Sequence, residues 1–243
     1  MEWNEQQLRD LRVQKGFRLR GLEMTRLEAF ADAAFAFAIT LMVISLQGIP
    51  DSFAGLIDAL KGAPAFAASF ATIAAFWYGH RHWSRRFGLE DGPSILISLL
   101  LIFIMLVYVY PLKMVFLALF SWISGGWLPS NFTIQSADEL AALFIVYGVG
   151  FFALSGTMVL LYARARSLAD SLRLDARERL KVRGEIAAFG TMALTGLASA
   201  LLAWLAPPWV GIWAGFVYST LPVSMPLVSA AYDRRVRRLD EGD

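Results

Sequence analysis

Long apolar stretches separated by short polar ones account for most of the chain. Six of them, at 28–48, 64–84, 93–120, 139–163, 184–206 and 209–231, reach the length of about 20 mostly apolar residues that a helix needs to cross a bilayer. Each predicts a transmembrane helix. Between the first two lies DSFAGLIDALKG (51–62), too short to span, which predicts an amphipathic helix or a re-entrant turn at the interface. Pro64 suits the first turn of the second span, and the Pro207-Pro208 pair predicts a tight turn between the last two. Pro222 and Pro226 predict a kink in the sixth. No repeat or low-complexity tract divides the chain. The pattern predicts an all-α integral membrane protein of six transmembrane helices, one domain over residues 1–243 with an N-terminal segment at 1–25 and a tail at 232–243.

Composition agrees. Of 243 residues, 57% are hydrophobic and 17% charged, and the mean hydropathy is +0.54, whereas soluble domains are about 25% charged. The N-terminus lacks the apolar core and cleavage site of a signal peptide, so the first span is expected to be retained. With no cysteine, disulfides, thiolate metal sites and cysteine nucleophiles are excluded.

Charge placement adds orientation. Twenty of the 22 Lys and Arg residues fall before span one, after span two, between spans four and five, or after span six. Six spans put all of these on one side, and an odd number would scatter them. The positive-inside rule then predicts that both termini are cytoplasmic. A basic rim of this kind follows from insertion and from attraction to anionic lipid, so the net charge of +2 and the RRVRR run at 234–238 do not argue for nucleic-acid binding.

Span one, RLEAFADAAFAFAITLMVI over 26–44, carries the most informative polar residues. At roughly 100° per residue, Phe30, Phe37, Leu41 and Ile44 fall within about 40° of one stripe, and Asp32 lies about 200° from Phe30. Thr40 sits on the shoulder of the stripe. An ionisable group within a span costs up to about 3 kcal/mol and usually finds an internal partner. The end of span two, FWYGHRHWSRRF (76–87), offers one. Spans one and two run antiparallel, so Trp77 and His80 are expected near Asp32. The competing reading of this stretch is an aromatic and basic interface belt. His80 has no second ligand at metal-binding spacing, and Lys113 in span three is expected to snorkel to the outer interface. SGT (155–157) and TMALTG (191–196) read as helix contacts.

Arg26-x-x-x-Phe30-Ala31-Asp32, followed by AFAFAITLMV, resembles the R-x-x-x-F-S-D signature of the first helix in the transmembrane protein 175 family, with alanine in place of serine. Trp77-x-x-His80 resembles that family's W-x-x-H element. The family comprises a lysosomal potassium channel and its bacterial relatives. The resemblance implies a homotetramer in which the first helix of each subunit lines a central pore. It further implies a hydrophobic constriction at Phe37, Leu41 and Ile44, a selectivity role for Thr40, and a bracing network of Arg26, Phe30, Asp32, Trp77 and His80. Phe37 stands where the family usually has isoleucine or leucine.

The expectation is therefore a passive, potassium-preferring cation channel of the cell membrane, multi-pass, with no cofactor and no metal beyond transient potassium. Its partners would be other copies of itself, the bilayer and potassium ions, with no nucleic acid. No TVGYG-like filter loop is present. The alternative is a proton-coupled secondary transporter using Asp32 and His80 as a relay. That would favour Gly/Pro-broken helices in matched halves, and none is evident. An intramembrane enzyme would need paired reactive polar groups at membrane depth, and the spans supply too few.

Overall fold

A computed structural model describes residues 3–44, 51–130 and 132–240 of the chain. The elements are α1 (Glu5–Asp10), β1 (Val13–Gln14), β2 (Phe17–Arg18), α2 (Arg26–Ile44), α3 (Phe53–Lys61), α4 (Ala63–Phe87), α5 (Gly92–Ile123), α6 (Ala137–Ser167), α7 (Ala176–Leu205), α8 (Pro208–Gly211), a 3₁₀ stretch (Ile212–Thr220) and α9 (Leu221–Asp240). Among the described residues, four helical segments are individually long and apolar enough to cross a membrane: α5, α6, α7 and Trp209–Leu239. A fifth arises if α3 and α4, which meet at a 42° bend, form one broken span. The first expected span coincides with α2, which is not among these segments; its described part ends at Ile44, and residues 45–48 of the expected span lie outside the described residues.

The α3 segment bears out the amphipathic reading of 51–62. Ser52 caps it by accepting from the Gly55 amide, and no residue of α3 is buried in the chain. Phe53, Leu56, Ile57 and Leu60 are all exposed, at the spacing of one helical face. In the last expected span a 3₁₀ stretch leads into α9, and α9 continues through Pro226 in its interior.

One local feature departs from the all-α expectation. Val13–Gln14 and Phe17–Arg18 pair antiparallel around Lys15-Gly16. Both turn residues have positive φ, 50° and 67°, which is what a two-residue type I′ hairpin requires and what glycine supplies without strain. Lys181 on α7 holds the turn by donating to the carbonyls of Lys15 and Gly16.

Phe17 is 1% exposed and lies under the guanidinium of Arg86, 5.0 Å from ring to cation, with its edge against Phe87. The basic segments of the N-terminus, the end of α4 and the α6–α7 connection thus meet at one end of the bundle. Carboxylates tie them together there: Arg20 to Glu178 at 2.8 Å, Arg85 to Glu28 at 3.0 Å, Arg86 to Glu185 at 2.7 Å and Arg164 to Asp91 at 2.9 Å. Burial pushes the Asp91 carboxyl up, but hydrogen bonds from Ser94 and Arg164 outweigh it and hold the group below the usual carboxylate range.

The apolar core runs through α2, α4, α5, α6 and α7. Its tightest crossing is between α6 and α7, where Gly148 and Gly196 face each other. A Cβ built on Gly148 would stand 2.6 Å from the Gly196 carbonyl oxygen, and one on Gly196 would stand 2.8 Å from that of Gly148. Small residues let membrane helices approach this closely. The TMALTG stretch is therefore a helix contact, as its composition suggested.

Candidate functional site

The α2 helix has two unlike faces. Ala31, Phe35, Ala38 and Met42, spaced at i, i+4, i+7 and i+11, are between 0% and 3% exposed, and the helix packs against α5 and α4. On the other side Phe30 and Phe37 are each 55% exposed, and Arg26, Ala29, Ala33, Ala36, Thr40 and Val43 are exposed with them. Leu41 is half-buried, at the edge of the packed side. The side chain of Ile44 lies outside the described residues. On a wheel of roughly 100° per residue, the exposed arc runs about 140° from Phe30 to Val43 with Thr40 near its middle. The helical wheel alone had placed Thr40 on a shoulder and Leu41 within the stripe; packing against α4 and α5 rotates the free face towards the threonine. The Thr40 hydroxyl donates to the Ala36 carbonyl at 3.0 Å.

Asp32 finds the partner its position calls for. The indole Nε1 of Trp77 on α4 donates to Asp32 Oδ1 at 2.7 Å, and the guanidinium of Arg81 lies 5.5 Å from the Trp77 ring centre. His80 goes elsewhere. It is 2% exposed and shares a hydrogen bond of 3.1 Å with Ser98 of α5, itself fully buried. His80 thus stays within electrostatic reach of Asp32, but the hydrogen bonds form two separate contacts, one joining α2 to α4 and one joining α4 to α5. Three residues on α4 explain the split: Trp77 and Arg81 are one turn apart on one face, and His80 is rotated roughly 60° from Trp77 and roughly 100° from Arg81, towards α5.

Trp83 is fully buried and donates to the Leu161 carbonyl at 2.9 Å. It is a core residue and not part of an interface belt. Arg26 is exposed and makes no hydrogen bond or ion pair among the described residues.

Lys113 corrects a second expectation. In place of snorkelling to an interface, it is 8% exposed and donates to the Met42 carbonyl at 3.3 Å, binding α5 to the last described turn of α2. Sequence reasoning also missed Ser98 and Glu28. A serine recurring every fourth position in an apolar helix, Ser94 and Ser98, was the available signal for the first. Glu28 is 3% exposed and bound by Arg85, and its place one turn before Asp32 on the same acidic edge was the signal for the second.

The Trp77–Asp32 contact can be tested directly. Replacing Trp77 by Phe is expected to cost about 1–3 kcal/mol, since a partly buried acceptor loses its donor. Asp32→Asn keeps the acceptor oxygen and should cost less than Asp32→Ala. Thermal unfolding in detergent reads both, and equal midpoints for Asp32→Asn and Asp32→Ala would mean that the bond contributes nothing.

Comparison with known proteins bears on the same helices. Residues 26–111 match the sequence profile of a family described as the endosomal/lysosomal potassium channel TMEM175. A curated protein from Marivirga tractuosa named "Potassium channel" is 36% identical over 234 residues, covering 92% of this chain and 93% of the relative. Among solved structures, a variant of the potassium channel MtTMEM175 in complex with a nanobody–MBP fusion is similar with a TM-score of 0.79 and 31% identity. That match covers 91% of this chain and 99% of the other. A lysosomal potassium-selective channel TMEM175 homologue from Chamaesiphon minutus shares the fold at a TM-score of 0.55 and 20% identity, covering 85% and 96%.

Proposed function

This chain belongs to the endosomal/lysosomal potassium channel TMEM175 family, and on that premise we propose that it forms a passive, potassium-preferring cation pore lined by α2. As a member of a channel family it is not an enzyme. The observation that carries the proposal is the division of α2. One face is locked against α4 and α5, and the other, with Phe30, Phe37 and Thr40, is exposed among the described residues. Four copies around an axis would turn that face towards the lumen and towards one another. In this arrangement the protein is a homotetramer of six-span subunits in the cell membrane with both termini cytoplasmic.

Phe37, with Leu41 and Ile44 above it, would form an apolar ring that stops ions by dewetting and passes them when the helices separate or rotate. Thr40 lies beside the ring. Because its hydroxyl proton is committed to the Ala36 carbonyl, the oxygen lone pairs remain to replace part of an ion's water shell. Asp32 is turned towards Trp77 and braces the helix instead of lining an acidic ring, while the Lys113–Met42 contact braces the other end. Potassium is the ion the named relatives suggest, and it would bind only in transit, with no cofactor.

The transporter reading fits less well. A relay through Asp32 and His80 would need them linked, and each is instead committed to a different neighbour, Trp77 and Ser98.

Reconstitution into a planar bilayer under a potassium gradient tests the proposal. Single-channel currents reversing near the potassium potential are expected, and slow, saturable flux that follows a proton gradient would refute it. Phe37→Ala should widen the ring and raise conductance severalfold or alter the preference for potassium over sodium. Currents identical to those of the unaltered protein would remove Phe37 from the pore.

A further inference from the structure

The N-terminal segment and the end of α4 enclose a cleft of about 370 Å³, within the roughly 300–1,000 Å³ range of small-ligand sites. Its floor is made by close backbone contact. The amide of Gly21 donates to the Arg85 carbonyl at 3.1 Å and that of Arg20 to the Arg86 carbonyl at 3.3 Å. A Cβ on Gly21 would stand 2.6 Å from the Ser84 carbonyl oxygen, so glycine is what lets the segment lie flat on the helix.

Into this cleft face Arg12 from the hairpin and Tyr78, Arg81, His82 and Arg85 from α4, and no carboxylate lines it. Arg85 is already engaged: its Nε meets Glu28 at 3.0 Å, and its Nη1 donates to the carbonyls of Gly21 and Leu22. Arg12 and Arg81 have no carboxylate partner among the described residues. Three converging guanidiniums with one carboxylate between them leave an uncompensated positive field. Elsewhere at this end of the bundle, Arg20, Arg86 and Arg164 are each matched by an acid.

We propose that this cleft binds a phosphate-bearing anion, either the phosphomonoester headgroup of an acidic lipid or free phosphate. Guanidinium forks match phosphate oxygens in geometry and charge, and the Tyr78 hydroxyl and the His82 ring add donors suited to the same group. Basic pockets beside membrane helices are typical headgroup sites. The rim favours the lipid source. Leu22 is 60% exposed and Tyr78 53%, so apolar surface borders the basic floor, as an acyl chain attached to a bound headgroup would need. Arg81 also lies over Trp77, whose indole holds Asp32. An anion on Arg81 would therefore sit two contacts from α2.

Native mass spectrometry of the full-length protein in detergent tests this with three probes: dioctanoyl phosphatidic acid, dioctanoyl phosphatidylcholine and inorganic phosphate. Saturable binding of the phosphatidate is expected, with Arg12→Gln and Arg81→Gln each weakening it roughly fivefold and the pair roughly 25-fold. Arg12 is exposed on the hairpin, so its variant keeps the test valid if loss of the Arg81–Trp77 contact disturbs folding. Phosphatidate binding unaffected by inorganic phosphate assigns the site to lipid; binding of inorganic phosphate that both variants weaken assigns it to the free anion. Absence of binding by both phosphate probes, equal binding of phosphatidylcholine, or affinities unchanged in Arg12→Gln would overturn the proposal.

Discussion

Glu178→Ala is expected to lower the unfolding free energy by about 3–5 kcal/mol, because it leaves a buried guanidinium without its counter-charge. The side chains of Arg20 and Glu178 are 0% and 1% exposed. Glu178 accepts from both Nη atoms of Arg20, at 3.1 and 2.8 Å, and from the Arg18 amide at 2.8 Å. It also closes the capping box that starts α7, accepting from the Asp175 amide at 3.2 Å while Asp175 accepts from the Glu178 amide at 2.7 Å. One carboxylate thus joins the hairpin strand, the α6–α7 connection and the first turn of α7. Glu178→Gln retains an acceptor for the cap but loses the charge, so its cost should fall between those of wild type and Glu178→Ala. Thermal unfolding in detergent, with hydrogen exchange of residues 13–22, checks both. A shift in midpoint for Glu178→Ala no larger than for an exposed carboxylate such as Glu23 would show that the pair is solvated and carries no such weight.

The second large effect is expected at the α6–α7 crossing. The nearest atoms to a Cβ on Gly148 are the Gly196 carbonyl oxygen at 2.6 Å and the Ala200 amide nitrogen at 2.9 Å. Both are backbone, so no side-chain rotation relieves the clash. Gly148→Ala and Gly196→Ala should each cost about 1–3 kcal/mol, and Gly148→Val more. The two sites touch the same gap, so once the first Cβ has separated the helices the second adds less, and the double variant should cost less than the sum of the singles. Strict additivity in thermal unfolding would mean that the helices do not approach as closely as this geometry requires. Gly156 is the control: a Cβ there meets nothing within 4 Å, and Gly156→Ala should be neutral or slightly stabilising.

These sites differ in how far the sequence disclosed them. Asp32 announced a need for a partner because a carboxyl group inside an apolar run is costly, and Trp77 was among the candidates that the antiparallel pairing of the first two spans allowed. His80 was also a candidate, and nothing in one dimension separated the two, since both stand on the same turn of α4. Only the position of Ser98, brought in by α5, drew the histidine away. The role of Lys113 was misjudged because a lysine in an apolar helix reads as interfacial until the partner helix is known. Arg20 and Glu178 are 158 residues apart, and in the sequence each looked like one more charge on a basic rim. The D-x-x-E pattern at Asp175–Glu178 signals a helix start, but the second duty of that glutamate as the counter-ion of Arg20 has no local signature.

The sequence by itself determined the helical membrane class, the boundaries of the second, third and fourth long helices to within a few residues, the amphipathic helix within 51–62 and the family signature at the start of α2, whereas α7 begins eight residues before the expected fifth span because its first two turns are charged. All of these rest on local quantities: length of apolar run, proline placement and motif spacing. Tertiary structure decided which side of α2 is free. That helix is apolar almost all round, with alanine or phenylalanine on every side, so periodicity could point to a stripe but not choose it against its neighbours. Contact with α4 and α5 buries Ala31, Phe35, Ala38 and Met42 and leaves Phe37 and Thr40 on the open face. In a bilayer, where lipid is as apolar as leucine, the hydrophobic effect does not choose a helix's buried face; close packing and a few buried polar contacts do, and here those are Trp77 to Asp32 and Lys113 to Met42.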